Sequence, residues 1–404
     1  MSGDDAAGAP EAGETASSAP VGTIETASEP HTARGILSLF LWNQVLVIAS
    51  LFLAMLGVQT ITAEQTSLGG MAVSLFLLLL AIGLLITSAD FFVEGAKGLA
   101  RQIGIAEVII GLTIVSLGTS LPEILISAQA SWEAYQNPCV AGVTDCATDF
   151  ALGNIFGSVL VQITLILGLV VVVRPLSIRP AWIHRDGLMM FLAVMLLSML
   201  ILVDGDLNRL EGALLCLLYV MYITYLIQHR DEIRTEEFEV LEDIRAEPGG
   251  HITWTTTAYF VMLMIGLGLA MFASARVIDS ASGIAIEMGV PAAAVGSTLS
   301  AIGTSFPELA VALLAARRST GIAVGTLIGS NITDPMLSVG IAAIINPIVV
   351  SDTALFYGLI IPATLFCTGL ALVFMWTDFK FNRPEGVILI GCYAVFLFLL
   401  YGSI

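Results

Sequence analysis

The sequence contains Gly111-Leu-Thr-Ile-Val-Ser-Leu-Gly-Thr-Ser-Leu-Pro-Glu123 and, 185 positions later, Gly296-Ser-Thr-Leu-Ser-Ala-Ile-Gly-Thr-Ser-Phe-Pro-Glu308, two copies of one pattern. Further along each half, Gly153-Asn-Ile-Phe-Gly-Ser-Val-Leu-Val-Gln162 matches Gly325-Thr-Leu-Ile-Gly-Ser-Asn-Ile-Thr-Asp334 at an offset of 172. Repetition at a fixed offset is typical of a chain built from copies of one structural unit. The sequence therefore predicts two related halves.

The composition is that of an integral membrane protein. Apolar residues make up 57% of the 404 residues and charged residues only 12%, and the mean hydropathy is +0.93. Apolar runs such as 71–89 and 356–376 are long enough to cross roughly 30 Å of hydrocarbon as helices. A net charge of −18 argues against nucleic acid as a partner. The expected partner is the lipid bilayer.

The order of apolar runs and polar breaks predicts eleven helices and five regions. The helices are expected near 36–58, 70–94, 104–131, 149–173, 185–203, 209–228, 253–275, 288–316, 321–346, 354–377 and 385–402. The regions are a disordered acidic tail (1–35), an extra N-terminal transmembrane helix (36–58), a first five-helix repeat (70–228), a cytoplasmic loop (229–251) and a second five-helix repeat (252–402). The tail is rich in Ala, Gly, Ser, Pro and acid, which cannot build a core.

The second copy lies five predicted helices after the first, an odd number, so it is expected to be inserted upside down relative to the first. The expected fold is an all-α membrane protein with a ten-helix, inverted-repeat core (5+5) and one extra N-terminal helix. In transporters of this architecture the binding site lies near the midplane, among helices interrupted by Gly or Pro.

The basic residues predict the orientation in the membrane, because Lys and Arg favour the cytoplasmic side of short loops. With a cytoplasmic N-terminus and an external C-terminus, thirteen of the fifteen fall inside and only Arg209 and Arg276 fall outside. The loop with Cys139 and Cys146 then faces outward, which leaves a disulfide between them open.

Three acidic residues in apolar segments are the candidate site: Glu123, Glu308 and Asp334. An intramembrane carboxylate costs several kcal/mol unless it is partnered. Hydroxyl and amide side chains complete the candidate site. A spacing of four residues puts Thr119 with Glu123, Thr304 with Glu308, Ser158 with Gln162 and Ser330 with Asp334 on one helical face each, and Ser120 and Ser305 are the adjacent hydroxyls. The alternative for the hydroxyls is a bond to their own helix. Glu94 and Asp279, near predicted helix ends, are assigned to the membrane interface.

Main-chain oxygens complete this set. Pro122 and Pro307 have no N–H for the carbonyls of Gly118 and Gly303, which are therefore predicted to be free. Carboxylate, amide, hydroxyl and carbonyl oxygens suit hard cations such as Ca²⁺, Mg²⁺ and Na⁺. No His or Cys stands in these segments, which argues against zinc or copper. The expected metal ligands are Glu123, Glu308, Thr119, Thr304 and Asp334, with no cofactor besides the transported ions.

The paired Gly-Thr-Ser-x-Pro-Glu and Gly-Ser-x-x-x-[Gln/Asp] segments resemble the α-repeats of the Ca²⁺/cation antiporter superfamily, and most closely those of sodium/calcium exchangers. The resemblance covers roughly residues 70–402. It implies that Glu123 and Glu308 coordinate Ca²⁺, and that the neighbouring Thr, Ser, Gln and Asp positions contribute ligands for Ca²⁺ or Na⁺. It also implies exchange of Na⁺ for Ca²⁺ by alternating access at one shared site.

Two departures from the family pattern leave the ion pair open. Gln162 stands where Asn or Asp is usual, and Val159 stands where the family often has Asn, as the second copy has at Asn331. A K⁺-dependent or H⁺-coupled exchanger of Ca²⁺ or Mg²⁺ is the first alternative. A cation channel is the second. A hydrolase using Ser120 or Ser305 is disfavoured, because no His or Lys lies in those helices to activate the nucleophile. The oligomeric state is not predicted.

Overall fold

The two sequence copies fold into two corresponding sets of α-helices. The computed structural model describes residues 43–64, 70–136, 147–238, 254–287, 302–350, 353–377 and 379–403. The acidic tail, residues 36–42 of the predicted first helix and both Cys139 and Cys146 lie outside these ranges.

The helices of the first half are α1 (Asn43–Glu64), α2 (Gly70–Ile103), α3 (Glu107–Thr119), α4 (Leu121–Gln136), α5 (147–173), α6 (180–204) and α7 (Arg209–Gln228). Helix α8 (Arg230–Phe238) lies within the predicted connecting loop. The second half has α9 (Thr256–Glu287), a helical turn at 302–304, α10 (Phe306–Arg318), α11 (320–345), α12 (353–376) and α13 (Arg383–Ser403).

The prediction of an all-α membrane protein is confirmed. Within the described ranges, eight helices are long and apolar enough to cross a membrane, or nine when the bent pair α3 and α4 forms one span. The apolar part of α1, Asn43–Val58, is shorter than these. Residues 288–301 of the predicted eighth helix lie outside the description, so the count of eleven stays a prediction.

Four short strands show how the halves are related. Strand β1 (Leu176–Ser177) pairs antiparallel with β4 (Lys380–Phe381), and β2 (Asp206–Leu207) pairs antiparallel with β3 (Ile348–Val349). The offset of 172 carries β1 onto β3, and an offset of 174 carries β2 onto β4. Exchanging the halves therefore converts one strand pair into the other. The pairs lie at opposite ends of α6, because β1 precedes this helix and β2 follows it.

Two close contacts between glycines are related in the same way when the halves are exchanged. A Cβ on Gly168 of α5 would lie 2.7 Å from the Gly386 carbonyl oxygen of α13, and a Cβ on Gly212 of α7 would lie 2.8 Å from the Gly340 carbonyl oxygen of α11. The same two offsets carry Gly168 onto Gly340 and Gly212 onto Gly386. Each half thus packs its last helix against the other half at a pair of glycines.

The closest approach near the candidate site joins α3 to α11. A Cβ on Gly325 would lie 2.6 Å from the carbonyl oxygen of Val108 and 3.0 Å from the Cα of Gly111. Both obstacles are main-chain atoms, so a side chain at Gly325 requires the helices to separate. This crossing holds α3, which precedes the break at Ser120, against α11, the helix that carries Asp334.

We expect Gly325→Ala to lower the stability of the protein by about 1–3 kcal/mol, the usual cost of overpacking a close contact. The measurement is the thermal unfolding temperature of the purified protein in detergent. Gly391→Ala in α13 is the matched control, because a Cβ there meets nothing within 4 Å. Equal unfolding temperatures for the two variants would contradict this account of the α3–α11 crossing.

Candidate functional site

In each repeat the second helix is interrupted just before the glutamate of the Gly-Thr-Ser-x-Pro-Glu motif. Ser120 has φ −79° and ψ 3°, and Ser305 has φ −89° and ψ 6°. This region of backbone space is sparsely populated and common among active-site residues. Helices α3 and α4 meet at Ser120 with a bend of 45°. Pro122 and Pro307 follow the breaks, where a residue without an N–H costs no hydrogen bond.

The three acidic residues predicted from the sequence lie together in the interior. Glu123, Glu308 and Asp334 are fully buried and near enough to one another for their charges to interact. Both carboxylate oxygens of Glu308 and Oε2 of Glu123 have no hydrogen-bond partner among the described residues. Buried charges without partners are costly. The arrangement is therefore suited to a cation that supplies the missing partner.

A threonine of each repeat lies beside the glutamate of the other repeat. Thr304 adjoins the carboxylate of Glu123, and Thr119 adjoins that of Glu308. The Thr119 hydroxyl donates to the Val115 carbonyl oxygen at 3.1 Å rather than to Glu308. A hydroxyl that donates its hydrogen still has oxygen lone pairs, so the bond to its own helix and a ligand role are compatible.

Helices α5 and α11 supply the second group. Ser158 donates a long hydrogen bond of 3.5 Å from Oγ to Glu123 Oε1. The Gln162 amide donates from Nε2 to Asp334 Oδ2 at 3.1 Å, and its own Oε1 is buried without a partner. The extra methylene of Gln162 thus brings its nitrogen to Asp334 and leaves an amide oxygen available.

Both Gln162 and Asp334 lie in π-helical turns. The turns are Val161–Ile166 in α5 and Asp334–Ser338 in α11. A π-turn inserts one residue into a helix and is frequent at functional sites, because it re-aims the side chains there. Helices α6 and α12, which are equivalent to each other in the two repeats, also each contain a π-helical turn, Ile183–Gly187 and Phe356–Ile360. The inverted repeat therefore extends to local helix geometry.

The remaining predicted residues lie in the same elements. Ser120 adjoins Asp334, and Ser305 occupies the equivalent break before α10. Ser330 is fully buried one turn before Asp334, and its hydroxyl has no partner among the described residues. In the described part of the chain, no three His, Cys, Asp or Glu side chains form a compact metal cluster. A cation here would need hydroxyl and amide oxygens as well as carboxylates.

One predicted feature is wrong. The carbonyl of Gly303 is not free, because Ser274 of α9 donates a hydrogen bond to it at 3.0 Å. The residue 185 positions earlier is Ala89, which is fully buried and has no hydroxyl. The two proline breaks are thus equivalent in backbone and different in their surroundings.

The sequence analysis also missed Ser338, whose hydroxyl lies 3.5 Å from Asp334 Oδ1. The signal was present, since Ser338 follows Asp334 by four residues on one helical face. Asn331 donates from Nδ2 to the Leu327 carbonyl oxygen at 2.6 Å and keeps a buried Oδ1 without a partner. Its counterpart Val159 is packed in the apolar core.

An inverted repeat that brings buried acidic groups together between broken helices defines a cation-transporting membrane protein of the secondary transporter class. A family model described as "Sodium/calcium exchanger protein" matches residues 73–228 and 258–402. The chain therefore belongs to the sodium/calcium exchanger family, as the motif resemblance predicted.

The chain matches several relatives over nearly the whole of their length. The putative antiporter CaxA of Alkalimonas amylolytica is 33% identical over 339 residues, 82% of this chain and 100% of that protein. The sodium/calcium exchanger MaX1 of Methanosarcina acetivorans is 27% identical over 368 residues, 81% of this chain and 99% of that protein. The solved structure of the sodium-calcium exchanger NCX_Mj aligns with a TM-score of 0.65 at 25% identity, covering 81% of this chain and 98% of that one.

Proposed function

We propose that the protein exchanges Na⁺ for Ca²⁺ across a cell membrane through the site formed by Glu123, Glu308 and Asp334. The observation that carries the proposal is the pair of fully buried glutamates, one from each inverted repeat, with carboxylate oxygens that no described residue satisfies. The surrounding oxygens come from hydroxyl and amide groups, which match hard cations. The transported ions are the substrates, and no other cofactor is needed.

Alternating access follows from the cost of the empty site. Carboxylates without a cation are expensive to move through the low-dielectric interior. The state with bound ions therefore crosses between the two faces more easily than the empty state, which couples one ion to the other. The three carboxylates, Glu123, Glu308 and Asp334, are fully buried in this structure. Such an occluded site favours an exchanger over a channel, whose ion path must be continuous.

The glutamates serve as shared ligands in this proposal. Glu123 and Glu308 bind Ca²⁺ together with the adjoining Thr119 and Thr304. Asp334 adds a third charge, which Na⁺ uses when several Na⁺ ions replace one Ca²⁺. The other proposed ligands are Ser120, Ser158, Gln162, Ser305 and Ser330. From the distribution of Lys and Arg we infer a cytoplasmic N-terminus and an external C-terminus.

The test is Ca²⁺ uptake into liposomes that contain the purified protein and are loaded with Na⁺. We expect uptake of radioactive Ca²⁺ only with an outward Na⁺ gradient. Parallel vesicles carry a K⁺ gradient or a pH gradient in place of Na⁺. Uptake driven by either of these alone would replace the proposed ion pair with K⁺ or H⁺ coupling, and uptake without any gradient would indicate a channel.

A further inference from the structure

Buried polar groups without partners continue beyond the candidate site along α4. Ser127 and Ser131 follow Glu123 at intervals of four residues, so the three side chains share one helical face. Both serines are fully buried, and neither hydroxyl has a hydrogen-bond partner among the described residues. The face leads from Glu123 toward Gln136, where α4 ends, and we call that side of the membrane the Gln136 side.

Helix α5 presents a matching face. Asn154, Ser158 and Gln162 are also spaced by four residues, and α5 packs against α4. The hydrogen bond from Ser158 to Glu123 fixes the register of these two antiparallel helices. One step of four residues, about 6 Å along each helix, then places Asn154 at the level of Ser127. Asn154 is 6% exposed, and its Nδ2 has no partner among the described residues.

Outside the candidate site, many buried hydroxyls of the described residues donate to a carbonyl oxygen of their own helix. Ser116 donates to Leu112 and Ser198 to Val194, each at 2.7 Å. A buried polar group left unsatisfied costs about 1–3 kcal/mol. Alanine would pack α4 against α5 equally closely without that cost. The retained polarity at Ser127, Ser131 and Asn154 therefore points to water or an ion as the missing partner.

The second repeat has no such face at the equivalent positions. The offset of 185 carries Ser127 and Ser131 onto Ala312 and Ala316, which are both buried. The offset of 172 carries Asn154 onto Thr326, whose hydroxyl donates to the Ile322 carbonyl oxygen at 2.7 Å. Two apolar residues and one satisfied hydroxyl replace three unsatisfied polar groups. The repeats share the site but differ in the approach to it.

We propose that Ser127, Ser131 and Asn154 line the route by which hydrated cations pass between Glu123 and the Gln136 side of the membrane. The hydroxyl oxygens of Ser127 and Ser131 replace part of the hydration shell as the ion leaves water, and the Asn154 amide nitrogen donates to a water molecule that accompanies the ion. The symmetry-related face of the second repeat is not a route, so ions reach the opposite side by another path. This inference rests on the proposed function as a cation transporter.

Cysteine accessibility tests the route. The five native cysteines are first replaced and transport is verified; then Ser127→Cys, Ser131→Cys, Ala312→Cys and Ala316→Cys are made singly. A membrane-impermeant, cationic thiol reagent is applied from each side. We expect the two serine positions to react from the Gln136 side at least tenfold faster than either alanine position from either side. Bound Ca²⁺ should slow the reaction at Ser127→Cys, which is the nearer to Glu123.

Ser198→Cys is the control, because Ser198 is fully buried and its hydroxyl donates to Val194 on its own helix; it should stay unreactive. The inference is overturned if cysteines at Ala312 and Ala316 react as fast as those at Ser127 and Ser131. The inference is also overturned if cysteines at positions 127 and 131 stay unreactive in protein that still transports Ca²⁺. Thiol labelling reports access by water whatever ion the protein carries. If the serine positions are labelled but the protein shows no Na⁺-driven Ca²⁺ uptake, the proposed ion pair is wrong and the proposed route stands.

A kinetic measurement gives a second, milder test. Ser127→Ala is expected to raise the KM for Ca²⁺ about fivefold when Ca²⁺ is supplied from the Gln136 side, the effect of about one lost hydrogen bond. The KM from the opposite side should stay unchanged. Ser198→Ala should alter neither value. An equal rise on both sides would show that Ser127 acts on the site itself and would overturn its assignment to the route.

Discussion

In liposomes that contain the Glu308→Gln protein, Na⁺-driven Ca²⁺ uptake is expected to fall to the background of empty vesicles. The substitution keeps the shape of the side chain and removes its charge. Neither carboxylate oxygen of Glu308 has a protein hydrogen bond among the described residues, so the ion takes most of the interaction. Loss of one charge from a buried ionic contact costs about 3–5 kcal/mol, a reduction of a hundredfold or more.

The matched control is Glu133→Gln. Glu133 is an exposed residue of α4, the same helix that carries Glu123, and it should retain full uptake. Protein stability separates a lost ligand from a misfolded protein. Without Ca²⁺, Glu308→Gln should unfold at or above the wild-type temperature, because it removes an unsatisfied buried charge. Addition of Ca²⁺ should stabilise the wild type and leave the variant unchanged. Uptake above a tenth of wild type would show that Glu308 is not a ligand.

The sequence was sufficient to predict the parts of the site that depend on spacing. Repeated Gly-Thr-Ser-x-Pro-Glu segments placed Glu123 and Glu308 in equivalent helices, and both are buried side by side. Arg318 contacts Glu94 at 3.0 Å and Asp90 at 2.8 Å, and the assignment of Glu94 to the membrane interface stays a prediction. Helix α2 continues to Ile103, past the predicted end at residue 94. Charged residues there are paired and partly exposed, so they do not end the helix.

The rest depended on contacts between distant residues. Nothing local to Gly303 shows that Ser274, 29 positions earlier, donates to its carbonyl. The sequence analysis did not predict the π-turns that contain Gln162 and Asp334. The hydroxyls of Ser127 and Ser131 look like any small residues of a membrane helix. Only the absence of a partner in the described structure distinguishes them from Ser198.

The charge of Asp334 makes a separate prediction about electrical coupling. The site holds three carboxylates. If one Na⁺ neutralises each of them, Na⁺ carries one more positive charge than Ca²⁺ in each cycle. Uptake of Ca²⁺ into Na⁺-loaded vesicles then moves net positive charge outward. An inside-positive membrane potential should therefore accelerate wild-type uptake, and an inside-negative potential should slow it.

Asp334→Asn leaves two carboxylates, which either one Ca²⁺ or two Na⁺ neutralise. Its side-chain oxygen still accepts the hydrogen bond from Gln162, so the local geometry is kept. We expect slower uptake that no longer responds to an imposed membrane potential, and a Hill coefficient for Na⁺ lower by about one. Ser338→Ala is the control, because it removes the hydroxyl beside Asp334 Oδ1 and leaves the charge. If uptake by Asp334→Asn kept the wild-type response to membrane potential, Asp334 would bind no Na⁺. If Ser338→Ala lost that response, the electrical coupling would depend on the geometry around Asp334 and not on its charge.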